Sequence, residues 1–147
     1  MQTLWIISTW LAFLCPVTPY RSLIKDDCSM NRSLFGFYPE DCRFIYCRIP
    51  RGKNFVGTML LRLPPYPLTT ITPMVVLENS INRSQKWIRL YDVRVKFPCS
   101  PMKLWIYNFN ITAEKLKDVD PNDKVEFRLL DERWHIVACV KFTLLLF

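Results

Sequence analysis

Six cysteines and a single histidine bound the chemistry open to this chain. Cys15 lies in an apolar leader, and Cys28, Cys42, Cys47, Cys99 and Cys139 follow it. The spacing Cys42-x4-Cys47 is not that of a zinc knuckle, and in an exported chain it reads as a disulfide closing a small β turn. A bond from Cys28 to Cys139 would tie both ends of one domain together, and on the chain-entropy model such a long closed loop stabilises by about 4 to 5 kcal/mol. Cys99 is then odd, either a free thiol or a site of intermolecular pairing. Catalysis has little to stand on. His135 reads as a turn or rim residue with no nucleophile or metal ligands beside it, there is no serine-nucleophile elbow, and three glycines cannot build a phosphate-cradling loop. The expectation is a protein that is not an enzyme and holds no metal and no cofactor.

The segment Met1–Tyr20 contains no Lys, Arg, Asp or Glu, and its apolar run Leu4–Cys15 is short of the roughly 20 residues that cross a bilayer. It reads as a signal peptide cleaved between Cys15 and Ser22, with the mature chain over 21–147. Three N-glycosylation triplets agree with export, at Asn31-Arg32-Ser33, Asn82-Arg83-Ser84 and Asn110-Ile111-Thr112, none interrupted by proline. The leader is uncharged, so the whole formal charge of +7 belongs to the mature chain and favours an anionic partner. Nucleic acid is excluded as that partner, because the Lys and Arg residues are scattered and the chain is exported. After the leader no apolar stretch is long enough to span a membrane.

About 125 mature residues suit one domain with a sizeable core. Short runs rich in Val, Ile, Phe, Tyr and Trp recur between polar or proline-containing breaks, the pattern of a sandwich or barrel. The candidate strands are Leu34–Tyr38, Arg43–Arg48, Phe55–Leu63, Met74–Glu78, Lys86–Phe97, Lys103–Phe109, Lys124–Leu130 and Ile136–Leu145. Pro64-Pro65-Tyr66-Pro67 cannot supply a ladder and breaks the sheet, and Asp118–Asp123 is a second turn. From Lys86 onward, Trp87, Tyr91, Val93, Val95 and Phe97 share one face and Arg89 interrupts it. Trp105, Tyr107 and Phe109 then alternate, as do Val125, Phe127 and Leu129, which implies sheets with one buried face. The last strand is apolar on both faces and should be central.

Three local patterns resemble the ML lipid-recognition family over nearly all of the mature chain. Asp41-Cys42-x4-Cys47-Arg48-Ile49-Pro50-Arg51-Gly52-Lys53-Asn54-Phe55 resembles the family's short disulfide hairpin and the basic turn that leads into a strand. Val137-Ala138-Cys139 resembles its terminal strand, and Phe97-Pro98-Cys99-Ser100-Pro101 its mid-chain cysteine. Relatives pair that cysteine with another a few residues upstream; here Arg89–Pro98 contains none, and Val93 stands in its place.

The resemblance implies an all-β, immunoglobulin-like β-sandwich of two antiparallel sheets enclosing an apolar lipid cavity. On that basis the candidate lipid-binding residues are the inward aromatics Phe55, Trp87, Tyr91, Trp105, Tyr107, Phe109, Phe127 and Phe142. A cationic rim for an acidic headgroup falls to Lys86, Arg89, Lys115 and Lys117, because a desolvated anion needs paired cations. The leading functional expectation is a secreted innate-immunity accessory like myeloid differentiation factor two, which binds lipopolysaccharide and associates with a Toll-like receptor ectodomain. The alternatives are a soluble sterol carrier of the Niemann–Pick type, with the lysosomal lumen as its place, and a secreted cytokine-like ligand that holds no lipid.

Overall fold

The computed structural model of the chain describes residues 26–29, 33–43, 46–95, 104–121 and 123–147. Their elements are β1 (Asp26–Asp27), β2 (Leu34–Pro39), β3 (Cys42–Arg43), β4 (Tyr46–Ile49), β5 (Phe55–Arg62), β6 (Thr70–Asn79), β7 (Gln85–Arg89), β8 (Val93–Arg94), β9 (Leu104–Ile111), the one-turn helix α1 (Ala113–Leu116), β10 (Asp123–Leu130) and β11 (Ile136–Leu146). Cys99, Asn31 and the leader Met1–Tyr20 lie outside the described residues.

Two sheets face each other as a β-sandwich. The larger runs β3-β4-β11-β10-β6-β7, with β1 added on β11 and β8 on β6; the smaller runs β2-β5-β9. Pairing is antiparallel apart from β11 with β4, which runs parallel over Thr143–Leu146. As its two apolar faces foretold, β11 is interior: β10 takes one edge, and β1 and β4 share the other.

Period-two alternation sets the buried faces. In β9, Trp105, Tyr107, Phe109 and Ile111 are buried while Asn108 and Asn110 face water; in β10, Val125, Phe127 and Leu129 are buried. The rings meet between the sheets. Phe37 stacks on Phe109 with centroids 5.6 Å apart, Phe55 lies 5.4 Å from Phe142, and Phe109 meets Phe127 edge-on at 5.3 Å. Such pairs add to the burial term. Phe109 needs room opposite, and Gly57 supplies it: a Cβ there would stand 2.5 Å from the Phe109 ring.

Both expected disulfides are formed. Cys28 joins Cys139 with Cα atoms 4.9 Å apart, and Cys42 joins Cys47 across the β3–β4 pair. The basic turn after β4 is also as expected. Lys53 N–H donates to the Pro50 carbonyl at 3.2 Å, and Gly52 takes the left-handed φ of 87°, which a glycine adopts without steric penalty.

The expectation of one continuous strand over Lys86–Phe97 is corrected. Pairing with β6 stops at Arg89↔Met74 and resumes at Val93↔Ile71, so Leu90, Tyr91 and Asp92 stand opposite only Thr72 and Pro73. Pro73 has no N–H to offer the ladder, and its carbonyl instead accepts from Leu90 N–H at 3.0 Å. The extra residue is a bulge, and it reverses the parity of everything after it. Ile88, Leu90, Val93 and Val95 therefore pack on the core, whereas Trp87 and Tyr91, expected to point inward, are 49% and 90% exposed. The stretch before the Asp118–Asp123 turn also carries α1, which the alternation did not reveal.

Candidate functional site

The free flank of β9 and the β7–β8 bulge lie on the same side of the sandwich, and a cleft of about 550 Å³ opens between them. One wall is apolar: Leu90, Tyr91 and Val93 come from the bulge and β8, and Trp105, Ile106 and Tyr107 from β9. Asn108, Asn110 and Thr112 add neutral polar groups, and Arg89, Arg94 and Lys115 add three cations. Among the described residues that line it, none is acidic.

The site's geometry follows from the elements beneath it. Alternation in β9 turns Trp105 and Tyr107 inward, where their rings stack at 5.6 Å and Tyr107 reaches the core ring of Phe127 at 6.3 Å. Burial pushes the Tyr107 phenol up to about 12, so its hydroxyl stays protonated and available as a donor at any physiological pH. Arg89 is held at the mouth by Asp92 at 3.3 Å and by the Trp134 ring, 5.3 Å from its guanidinium carbon. The Asp92 carboxyl is itself anchored by Thr72 at 2.9 Å, a hydrogen bond that, ahead of the Arg89 contact, holds it below the usual carboxylate range. No described residue is within ion-pair distance of Arg94 or Lys115.

The structure divides the sequence-derived candidates into three groups. Tyr91, Trp105, Tyr107, Arg89 and Lys115 meet at the cleft. Phe55, Phe109, Phe127 and Phe142 belong to the ring stack that fills the interior. The rest lie elsewhere: Trp87 is on the outer face of the large sheet beneath the Arg128 guanidinium, 4.8 Å away; Lys86 is paired with Asp118 at 2.9 Å; and Lys117 follows α1 outside the lining. Sequence reasoning missed Arg94, Ile106 and Asn108. Arg94 is exposed on the outward face its spacing gives it, and what brings it to the cleft is the approach of β8 to β9, which no local pattern announces.

Two further groups are accounted for structurally. His135 is exposed, and its backbone N–H donates to Asp131 at 2.9 Å, as a turn residue would. Cys28, Glu126 and Cys139 come together, but the two thiols are consumed by their disulfide and cannot ligate a metal.

No protein-family model matches the chain, and no curated protein matches it. Among solved structures it is similar to a Niemann-Pick type C2 protein from the Japanese carpenter ant, with a TM-score of 0.54 at 12% identity, over 87% of this chain and 100% of that one. At that identity the likeness is one of fold, the two-sheet β-sandwich. No helix among the described residues is long and apolar enough to cross a membrane.

Proposed function

We propose that this protein is an exported, non-enzymatic lipid-binding protein that lays an apolar chain or ring system along the Trp105–Tyr107 wall and sets a polar headgroup among Arg89, Arg94 and Lys115. The observation that carries this reading is the cleft itself, with an aromatic wall and three rim cations, of which Arg89 is paired with Asp92 while Arg94 and Lys115 have no acidic partner among the described residues. Each methylene buried there would contribute about 0.8 kcal/mol, so ten would gain roughly 8 kcal/mol before ordering losses. The two disulfides suit an oxidising compartment, extracellular or lysosomal. The fold shared with the carpenter-ant Niemann-Pick type C2 protein supports the reading as analogy.

Size favours a small lipid. A cleft of about 550 Å³ falls among sites for one small molecule, which run roughly 300–1,000 Å³, and the interior that a many-chained lipid would need is filled by Phe37, Phe55, Phe109, Phe127 and Phe142. A sterol or single-tailed carrier is therefore the first reading. The cationic rim favours a second, recognition of lipopolysaccharide as accessory to a Toll-like receptor.

The test is competition between a fluorescent sterol and lipopolysaccharide for the purified glycosylated protein. Sterol preference supports the carrier, and lipopolysaccharide preference supports the accessory. Binding neither would sink the lipid reading and leave the lipid-free ligand. Reversing Arg94 and Lys115 together to Glu is expected to weaken an anionic lipid about tenfold. Lys117→Glu, outside the lining, should leave affinity unchanged.

A further inference from the structure

Every sandwich must keep its outer strands from pairing with those of other molecules. Most outer strands here are visibly blunted. β7 carries Lys86 and Arg89 and ends in the bulge; β2 carries Pro39 and a register shift between Leu34 and Gly36; β3 is two residues long.

β9 has none of these devices. Its eight residues, Leu-Trp-Ile-Tyr-Asn-Phe-Asn-Ile, include no charge, no proline and no glycine, and its register with β5 runs unbroken from Leu104 to Ile111. Among the described residues nothing pairs with its other edge. A long, regular, uncharged and aromatic edge is the sequence signature of intermolecular strand pairing.

One feature of β9 is unaccounted for by packing. Asn110 opens the triplet Asn110-Ile111-Thr112, which is an N-glycan acceptor. Its side chain is exposed on the outer face of the small sheet, and the residue lies near the end of the edge strand, where it helps to line the cleft. Thr112, the acceptor's hydroxyl residue, is also exposed and makes no capping hydrogen bond to α1. Ile111 is buried in the core, but the Asn110 side chain and the Thr112 hydroxyl are both on the exposed side and accessible to modification.

We propose that Asn110 carries an N-linked glycan that serves as the missing edge protection of β9, a bulky hydrated group that keeps a second copy of this chain from adding its own strand there. The proposal needs no ligand and stands whether or not the cleft binds lipid.

The test uses the full chain secreted from animal cells as wild type, Thr112→Ala and Asn110→Lys. Peptide mass mapping with and without enzymatic glycan removal reads occupancy at Asn110 separately from Asn31 and Asn82, and light scattering on a sizing column reads association. The expected result is an occupied Asn110 and a monomeric wild type, with Thr112→Ala raising the dimer and larger fraction at least tenfold. Asn110→Lys, which loses the glycan but places a charge on the same edge, is expected to stay monomeric. An unoccupied Asn110, a Thr112→Ala protein as monomeric as wild type, or an Asn110→Lys protein that associates as strongly as Thr112→Ala would each overturn it.

Discussion

Asp131 shows how much a single buried carboxylate organises. It is 4% exposed; its Oδ1 accepts from the backbone N–H groups of Arg133 and His135 at 2.8 and 2.9 Å, and its Oδ2 from the Tyr66 hydroxyl at 2.6 Å. It thereby closes the β10–β11 turn and fastens the Pro64–Pro67 segment to it. Burial works against its ionisation, but the hydrogen bonds from Tyr66, His135 and Arg133 outweigh that and hold its pKa below the ordinary value. Burial, followed by the same carboxylate, pushes Tyr66 up to about 12. A depressed carboxyl stabilises the fold above its unfolded pKa of about 3.9, and that contribution is lost as pH falls through the still lower folded value. Stability should therefore be insensitive to Asp131 between pH 5 and 7 and fall below about pH 4, while Asp131→Asn should lose about 1.5–3 kcal/mol at neutral pH and flatten that acid limb, as read by urea denaturation across pH. In the core, Phe127→Ala should lose about 3–5 kcal/mol, and Gly57→Ala should also destabilise, because its Cβ has no space beside Phe109. At the cleft, Tyr91→Ala should weaken lipid uptake and leave the melting temperature within about a degree, since a side chain 90% exposed contributes little to the fold. The residue types of the site were readable from sequence, but the division between cleft and core was not. Trp105 and Phe109 lie on the same face of one strand, and only the distance between the sheets decides which of them meets open space.

At the scale of elements, alternation was a sound guide wherever a strand kept its register. The inward residues of β9, β10 and β11 from Ala138 onward fall where alternation puts them because their ladders are continuous there, whereas Ile136, beyond the register shift at Leu130, packs instead with Met74, Val76 and Leu130. Alternation failed at Trp87 and Tyr91, because one unpaired residue reverses the parity before Val93 and Val95 return to the core face. That break is set by Pro73 on the neighbouring strand, remote in sequence from the residues it displaces, so no local pattern in Lys86–Phe97 could announce it. The bulge is pinned by Thr72 and Arg89 acting on Asp92, all of it exposed to solvent, so Asp92→Ala is expected to leave the urea midpoint of global unfolding nearly unchanged. Its larger effect should fall on the cleft, measured as faster amide exchange at Leu90 and weaker lipid uptake. Arg89 then loses the carboxylate that holds it at the mouth.

At the scale of the whole molecule, two covalent clasps of unequal reach hold the described residues. The Cys28–Cys139 loop spans 111 residues and the Cys42–Cys47 loop spans 5, so the chain-entropy relation gives about 4.8 and about 2 kcal/mol. Replacing Cys28 and Cys139 by Ser should shift the urea midpoint by more than twice as much as replacing Cys42 and Cys47. The sandwich and both pairings were legible in the sequence because cysteine spacing and strand alternation are local or countable. The short helix and the lateral position of the cleft were not, because they depend on how the two sheets splay. One more consequence lies in time. β11 is the strand on which β1, β4 and β10 all lean, yet it follows every one of them in the chain. During synthesis at about 5–20 residues per second, β4 waits roughly 5 to 20 seconds for the last strand, with which it pairs, to be made. The β6–β7 pair and its ladder to β10 need only strands made earlier, whereas β1 and β4 can join the larger sheet only once the last strand exists, so that half of the sheet closes last.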